Sequence, residues 1–199
     1  TALLFDKPGT GFDVPKEAGA FGAEDFSISF WLCPFEYDTV SPHRMKRILG
    51  VSEYPKRWWN VDLNQDGIIE MEMGLTPEGA DKPVSGGSSS LSRVPFKAWT
   101  QVTIVGDRKE RKTRFYFNGA LDAERPIPQG FLGTLTIPMK VHAGYGGEHA
   151  FIGMLDELVI AGRACSADEV RGRFERTRKG RESAEFKLTT VKRVVIVEE

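Results

Sequence analysis

The stretch FIGMLDELVIAGRACSADEVRGRF, residues 151–174, decides the fold because it predicts a central strand followed by one short helix. Successive side chains of a strand point to opposite faces, so Leu155, Glu157 and Val159 would share one face and Met154, Asp156, Leu158 and Ile160 the other. The alternation places Asp156 on the more apolar face. A carboxylate there needs backbone donors, a cation or a metal, because burial of an unpaired charge is costly.

The start of the predicted helix is equally well marked. Ser166 is suited to the N-cap, and Glu169 three residues later completes a capping box. Cys165 before the cap and Val170 after it can form a hydrophobic staple. The sequence therefore predicts that the strand turns directly into a short helix.

Two other stretches carry strong period-2 patterns. FSISFWLC, residues 26–33, alternates apolar residues with smaller or mixed ones, which predicts a strand with one core face. WWNVDLNQDGIIEMEM, residues 58–73, predicts a hairpin that turns at residues 65–67. The residues predicted to share its core face are Trp59, Val61, Leu63, Ile69, Met71 and Met73. Residues 76–93, rich in Gly and Ser, are interpreted as a flexible loop over one rim.

Many short strands, one late helix and no alternation of strands with helices indicate an all-β sandwich. The 199 residues suffice for one sizeable core, and we predict a single domain over residues 1–178. Residues 179–199 are predicted to be a basic linker and an extra terminal strand, which either extends the domain or begins a neighbouring module.

Composition excludes some function classes. The 27 basic and 28 acidic residues nearly balance, so net charge gives no reason to expect a nucleic-acid partner. No apolar run is long enough for a spanning helix, so membrane insertion is not expected. The two cysteines, Cys33 and Cys165, are too few for a disulfide framework, and two buried thiols are favoured over one bridge.

The order of motifs resembles the laminin-G-like, concanavalin A-like jelly-roll family. The matching pieces are ALLFD at 2–6, FSISFWL at 26–32, ILG at 48–50, NQDG at 64–67, KAWTQVTIV at 97–105, RFYFNGALD at 114–122 and GMLDELVIAGRACSADEV at 153–170. The resemblance implies a two-sheet antiparallel jelly-roll sandwich with ligand sites in rim loops or on the concave face. The family's pattern has a plain apolar residue in place of Cys165 and no counterpart to the tail from residue 180.

Two metal sites are conceivable. Relatives of this fold often hold a structural calcium ion at the sandwich rim, so the resemblance implies a site at Asp6 and Asp156, which supply the oxygen ligands that calcium takes. The alternative is that Asp156 only accepts backbone N–H groups and anchors a loop. Asp62, Asn64 and Asp66 fit the opening of an EF-hand loop, but Met73 stands where that loop needs Glu, so a plain hairpin turn is favoured.

Glu70 and Glu72 share one face of the predicted hairpin, roughly 6.5–7 Å apart, near the separation that glycosidases use. Laminarinase-type enzymes of this jelly roll carry three carboxylates along one strand. Here Met73 and Gly74 follow instead, so the third carboxylate is missing. We therefore expect a chain without catalytic activity.

Aromatic residues are the better functional lead, because sugar rings stack their C–H faces on flat side chains beside polar groups. The candidate ligand-binding residues are Tyr54, Trp58 and Tyr145, which lie in or near predicted loops, and the polar residues Arg57, Asn60 and His149, which are close to them in sequence. Trp31, Trp59 and Trp99 fall in strand patterns, where core packing is the default.

The first hypothesis is a non-catalytic carbohydrate- or glycoprotein-binding module of an extracytoplasmic protein, with a polysaccharide or glycoprotein as partner and one structural calcium ion. An extracellular, cell-surface or periplasmic location needs a signal peptide upstream of Thr1. The second hypothesis is a structural or protein-interaction domain that docks other domains of a larger chain. The third is a glycoside-active enzyme that uses Glu70 and Glu72.

Overall fold

The computed structural model describes residues 2–7, 11–15, 25–37, 45–127, 138–141 and 149–181. Within these ranges the chain forms twelve strands and one helix. The strands are β1 (Leu3–Phe5), β2 (Phe12–Val14), β3 (Phe26–Pro34), β4 (Met45–Glu53), β5 (Arg57–Asn64), β6 (Ile68–Leu75), β7 (Val84–Arg93), β8 (Thr100–Asp107), β9 (Lys112–Phe117), β10 (Ala120–Pro126), β11 (Met139–Val141) and β12 (Gly153–Ala161), and the helix is α1 (Ala167–Thr177).

The strands form two antiparallel six-stranded sheets. The sheet that carries α1, here called the back sheet, has the order β1-β12-β3-β8-β9-β10. The other sheet, the front sheet, has the order β2-β11-β4-β5-β6-β7. The prediction of an all-β jelly-roll sandwich with one short helix is confirmed.

The core lies between the sheets and follows the period-2 patterns. The alternate residues of β3, namely Phe26, Ile28, Phe30 and Leu32, are fully buried. The predicted core face of the β5–β6 hairpin is also confirmed, because all six of its apolar residues belong to the same buried cluster. Each fully buried side chain of this size stabilises the fold by about 1.5–3 kcal/mol.

The alternation in β12 is interrupted by a bulge, and the predicted placement of Asp156 on the more apolar face is wrong. The register with β3 shifts between Asp156 and Val159, and Glu157 has a φ of 48°. Because the bulge adds a residue, Leu155 and Ile160 both face the core. Asp156 lies instead on the outer face of the back sheet, opposite Trp31.

The interpretation of residues 76–93 as a loop is also wrong for their second half. Residues 84–93 form β7, which pairs with β6 at the edge of the front sheet. Ser90 helps to hold the strand, since its hydroxyl accepts a hydrogen bond from the Ile69 amide at 3.1 Å and donates to Ser92 O at 2.9 Å. Backbone pairing along one side suffices for an edge strand, so it overrides the weak strand preference of Gly and Ser.

Helix α1 begins as predicted. Ser166 is its N-cap, and the capping box with Glu169 is complete. Val170 is buried on the back sheet, where Cys165 packs beside it. The helix also covers Trp31, whose indole N–H donates to Thr177 Oγ1 at 2.9 Å. Trp31 is therefore buried under the helix and not between the sheets.

Both cysteines are free thiols. Cys33 is buried, and burial raises the pKa of its thiol to about 12. The prediction of two thiols in place of a bridge is therefore confirmed, but the prediction that both are buried holds only for Cys33, because Cys165 is half-buried.

Past α1 the described chain ends at residue 181. Arg181 still packs on the back sheet, since its guanidinium lies 4.8 Å from the centre of the Trp31 ring. The extra strand predicted within residues 179–199 falls on residues 187–197, outside the described residues. In the part of the chain that the structure describes, no helix is long and apolar enough to span a membrane.

Replacing Ser166 by Ala is expected to lower the free energy of unfolding by about 1 kcal/mol, because the N-cap acceptor of α1 is lost. For a chain of this size the melting temperature should fall by roughly 2–4 °C. Ser166→Asp retains an acceptor and is the matched control. Thermal unfolding of the three proteins measures the difference, and equal melting temperatures for Ser166→Ala and wild type would contradict the capping role.

Candidate functional site

The outward face of the front sheet contains a groove with a volume of about 500 Å³. Side chains from β4 and β5, with Glu72 of β6, line most of it because the residues that alternate with the core positions point outward, and Tyr54 and His149 add to the lining from outside these strands. The lining residues are Met45, Arg47, Ser52, Tyr54, Trp58, Asn60, Asp62, Glu72 and His149.

One end of the groove is aromatic. Trp58 lies across Gly74 of the neighbouring strand, where a Cβ atom would stand 2.1 Å from Trp58 Cζ2. The ring of Tyr54 is 5.2 Å from that of Trp58, at an interplanar angle of 55°. Tyr54 is 62% exposed and Trp58 only 5%. The pair therefore presents the exposed ring of Tyr54 to solvent, beside the buried ring of Trp58.

An ion pair crosses the floor of the groove. Arg47 Nε lies 2.6 Å from Asp62 Oδ1, and Arg47 Nη2 lies 3.4 Å from Asp62 Oδ2. The two side chains are 11% and 3% exposed. Burial raises the pKa of Asp62, while the charge of Arg47 and its hydrogen bond act in the opposite direction. The positive charge of Arg47 is thus already matched by the carboxylate of Asp62.

A second lobe of about 480 Å³ adjoins the first and shares Met45, Asp62 and Glu72 with it. It reaches the edge strand β7, and it is also lined by Glu70, Met71, Ser85, Gly86, Gly87, Ser88, Ser89 and Arg125. The Glu70 carboxylate accepts a hydrogen bond from Asn64 Nδ2 at 2.7 Å. Burial, followed by the negative charge of Asp62, raises the pKa of Glu72, although Arg47 and a hydrogen bond from Trp58 oppose the shift.

Asn60, between the aromatic end and the ion pair, has an unsatisfied acceptor. It is 3% exposed, and its Oδ1 atom has no hydrogen-bond partner among the described residues. Its strand neighbour is Gly50, where a Cβ atom would stand 2.7 Å from Asn60 Oδ1. A buried acceptor without a partner costs about 1–3 kcal/mol, which is typical of a position that a ligand or water satisfies.

The structure brings four of the six predicted ligand-binding residues into this groove: Tyr54, Trp58, Asn60 and His149. Trp58 and Asn60 lie within β5 and not in a loop. Arg57 does not line the groove, and its Nε lies 2.5 Å from Glu53 Oε2. Tyr145 falls outside the described residues.

Arg47 and Asp62 are the two charged partners on the groove floor, and neither was among the predicted ligand-binding residues. The alternation in residues 58–73 contained a signal for Asp62, since it shares the outward face with Trp58 and Asn60. Arg47 had no such signal. A register shift between Arg47 and Leu49 turns it outward, and bulges of this kind are not readable from the pattern.

Of the two residues of the implied calcium site, Asp156 has other partners. Asp156 forms an ion pair with Arg181, and its Oδ1 accepts the Glu157 amide at 2.9 Å. Asp6 is exposed. Among the described residues, no three His, Cys, Asp or Glu side chains are grouped to hold a metal ion. Calcium binding at Asp6 and Asp156 stays a prediction, which thermal melting with and without calcium can test.

The segment compared with an EF-hand loop forms a hairpin turn. Asn64 Oδ1 accepts the amides of Asp66 and Ile68 at 2.9 and 3.0 Å, and Gly67 adopts a φ of 78°. These bonds use the Asn64 oxygen that a calcium loop would need, and Asp62 is bound to Arg47. The structure thus agrees with the favoured interpretation of a plain turn.

A family profile described as the concanavalin A-like lectin/glucanases superfamily matches residues 6–171. The chain therefore belongs to this superfamily, as the order of its motifs predicts. A comparison with curated proteins found no match to the chain.

Solved structures share the fold at low sequence identity. The CBM40 domain of the Ruminococcus gnavus IT-sialidase, bound to α2,3-sialyllactose, has a TM-score of 0.62 at 16% identity over 87% of this chain and 96% of that one. Domain 4 of AbnA, an extracellular GH43 arabinanase from Geobacillus stearothermophilus, is in complex with arabinotriose and has a TM-score of 0.57 at 16% identity over 86% and 75%. The binding domain of botulinum neurotoxin serotype G has a TM-score of 0.60 at 15% identity, and the match covers 88% of this chain and 42% of that one.

Proposed function

We propose that the chain is a non-catalytic glycan-binding module and that the groove on the front sheet is its binding site. The observation that carries the proposal is the pairing of an exposed aromatic surface with a buried, unsatisfied acceptor in one groove. Tyr54 offers its ring to solvent, and Asn60 supplies the acceptor. This is the combination by which proteins bind sugars, through stacking on C–H faces and hydrogen bonds to hydroxyl groups.

The rest of the groove suits the same ligand. Trp58 packs over Gly74 and its ring contacts that of Tyr54, so this part of the aromatic surface is already ordered before a ligand binds. Glu72 supplies carboxylate oxygens and Ser52 a hydroxyl, both at the edge of the aromatic surface. A sugar stacked on Tyr54 therefore has polar partners within the same groove.

The proposed partner is a polysaccharide or the glycan of a glycoprotein outside the cytoplasm. Structural relatives that share the fold are in complex with oligosaccharides, and one is a domain of an extracellular enzyme. Their low identity makes them support for the fold, and the binding role rests on the groove itself.

Replacing Tyr54 by Ala is expected to weaken glycan binding about 2–10-fold, since aromatic stacking contributes about 0.5–1.5 kcal/mol. Trp58→Ala removes the support of Tyr54 as well and should weaken binding further. The matched control is Phe96→Ala, which removes a 46% exposed aromatic residue that does not line the groove. A glycan array identifies the ligand, and calorimetry measures the affinities.

The array also separates the proposal from its alternative. Retention of glycans by wild type and Phe96→Ala, with loss in Trp58→Ala, supports the groove as the site. A wild-type protein that retains no glycan on the array supports the structural or protein-interaction domain instead. Equal affinities of wild type and Trp58→Ala would place any glycan binding elsewhere on the molecule.

Glycoside hydrolysis by Glu70 and Glu72 is the second candidate function. Both carboxylates line the groove, and the pKa of Glu72 is raised by burial, as a general acid requires. Glu70, however, is hydrogen-bonded to Asn64. Turnover of a polysaccharide panel that disappears in both Glu70→Gln and Glu72→Gln would establish catalysis.

A further inference from the structure

We infer that the groove selects uncharged glycans and discriminates against sugars that carry a carboxylate. This inference rests on the proposed function, because it names the ligand class of the same site. It follows from the distribution of charges and of hydrogen-bond acceptors along both lobes.

The cation on the groove floor is not available to an acidic sugar. Recognition of a carboxylate typically uses an Arg whose donors face the ligand in pairs. Arg47 directs two of its nitrogens to Asp62, at 2.6 and 3.4 Å, and is only 11% exposed. Binding an acidic sugar to Arg47 would leave Asp62, which is 3% exposed, without its cation.

Carboxylates outnumber cations in the two lobes taken together. The acidic lining residues are Asp62, Glu70 and Glu72, the basic ones are Arg47 and Arg125, and His149 also lines the first lobe. Since the ion pair cancels Arg47 against Asp62, the remaining charges are two carboxylates and Arg125. Arg125 lines only the second lobe, where its Nη1 also donates to Glu124 O at 3.2 Å.

Hydrogen-bond chemistry favours the same ligand class. Glu72 is an acceptor when ionised, and the free atom of Asn60 is an acceptor as well. The hydroxyl groups of a neutral sugar donate to both. A sugar carboxylate offers only acceptors, so beside Glu72 it would place two negative charges together in a partly buried groove. The first lobe is thus built to accept hydrogen bonds from its ligand.

The test compares matched glycans that differ only in a carboxylate, such as cello-oligosaccharides with their uronic-acid forms. Wild type is expected to bind the neutral member of a pair about tenfold tighter or more. Glu72→Gln should reduce this difference in affinity, because the side chain keeps its size but loses its charge. Glu78→Gln is the matched control, since it makes the same charge change at an exposed residue outside the groove.

A second measurement varies the pH. Lowering the pH from about 7 to about 5 brings it closer to the raised pKa of Glu72, so a larger fraction of the carboxyl is protonated and the difference in affinity in wild type should decrease. The other titratable and charged groups that line the groove with Glu72 are Asp62, Glu70, Arg47, Arg125 and His149. Because Glu72→Gln is already neutral at this position, the difference between its affinities for the neutral and the carboxylated glycan should change less with pH.

The outcomes distinguish the two proposals. Equal or tighter binding of the carboxylated member by wild type, lost in Trp58→Ala, overturns the selectivity but leaves the glycan-binding groove in place. A neutral preference that is identical in wild type and Glu72→Gln, and that does not change with pH, also overturns the inference. If no glycan on the array is retained, both proposals fail together.

Discussion

Replacing Arg47 by Ala is expected to lower the free energy of unfolding by about 3–5 kcal/mol, because it leaves the Asp62 carboxylate buried without its cation. Asp62 is 3% exposed, so in the folded protein its carboxylate is stabilised by the guanidinium far more than by water. Denaturation in urea gives the difference directly. The loss should appear in the denaturation midpoint, with little change in slope.

The Arg47→Ala deficit should depend on pH. Burial raises the pKa of Asp62, and removal of Arg47 removes a cause that lowers it. A carboxyl with a raised pKa in the folded state binds its proton more tightly there than in the unfolded chain. Stability is therefore regained as the pH falls. The deficit measured at about pH 7 should be smaller at about pH 5.

Two comparisons make the Arg47 prediction specific. Lys140→Ala breaks the ion pair with Asp13, whose side chains are 57% and 55% exposed, and should cost less than about 1 kcal/mol. Adding Asp62→Asn to Arg47→Ala removes the buried charge and should recover part of the loss. A deficit no larger than that of Lys140→Ala would contradict the importance of the buried pair.

The period-2 patterns predicted the sandwich and also which residues of β5 point outward into the groove. The rule that sends Trp59, Val61 and Leu63 to the core sends Trp58 and Asn60 outward, and both line the site. The sequence therefore located the site's central strand, although Trp58 was interpreted as a residue in or near a loop.

What the patterns missed depends on backbone irregularity and tertiary pairing. The bulges in β4 and β12 reposition Arg47 and Asp156, and each leaves its local sequence looking regular. Strand β7 consists largely of Gly and Ser, so only its pairing with β6 makes it a strand. The partnership of Arg47 with Asp62 joins positions on two strands, and only the register between β4 and β5 could reveal it.

Replacing Gly74 by Ala is expected to weaken glycan binding about as much as Trp58→Ala, although every side chain that lines the groove is kept. The new Cβ atom would lie 2.1, 2.2 and 2.4 Å from Trp58 Cζ2, Cη2 and Cε2, closer than any van der Waals contact allows. The indole must therefore move from its place below Tyr54. Overpacking of this kind also costs roughly 1–3 kcal/mol of stability.

Gly162→Ala is the matched control for Gly74→Ala, because nothing lies within 4 Å of its added Cβ atom and Gly162 does not line the groove. Both changes restrict the unfolded chain equally, so a difference between them reports on the folded state.

Calorimetry on Gly74→Ala, Trp58→Ala and the double variant then decides how Gly74 affects binding. If Gly74 acts only by holding the indole flat, the double variant binds no more weakly than Trp58→Ala alone. Additive losses would mean that Gly74 affects the ligand by another route, and undiminished binding by Gly74→Ala would mean that the position of the indole does not matter for binding.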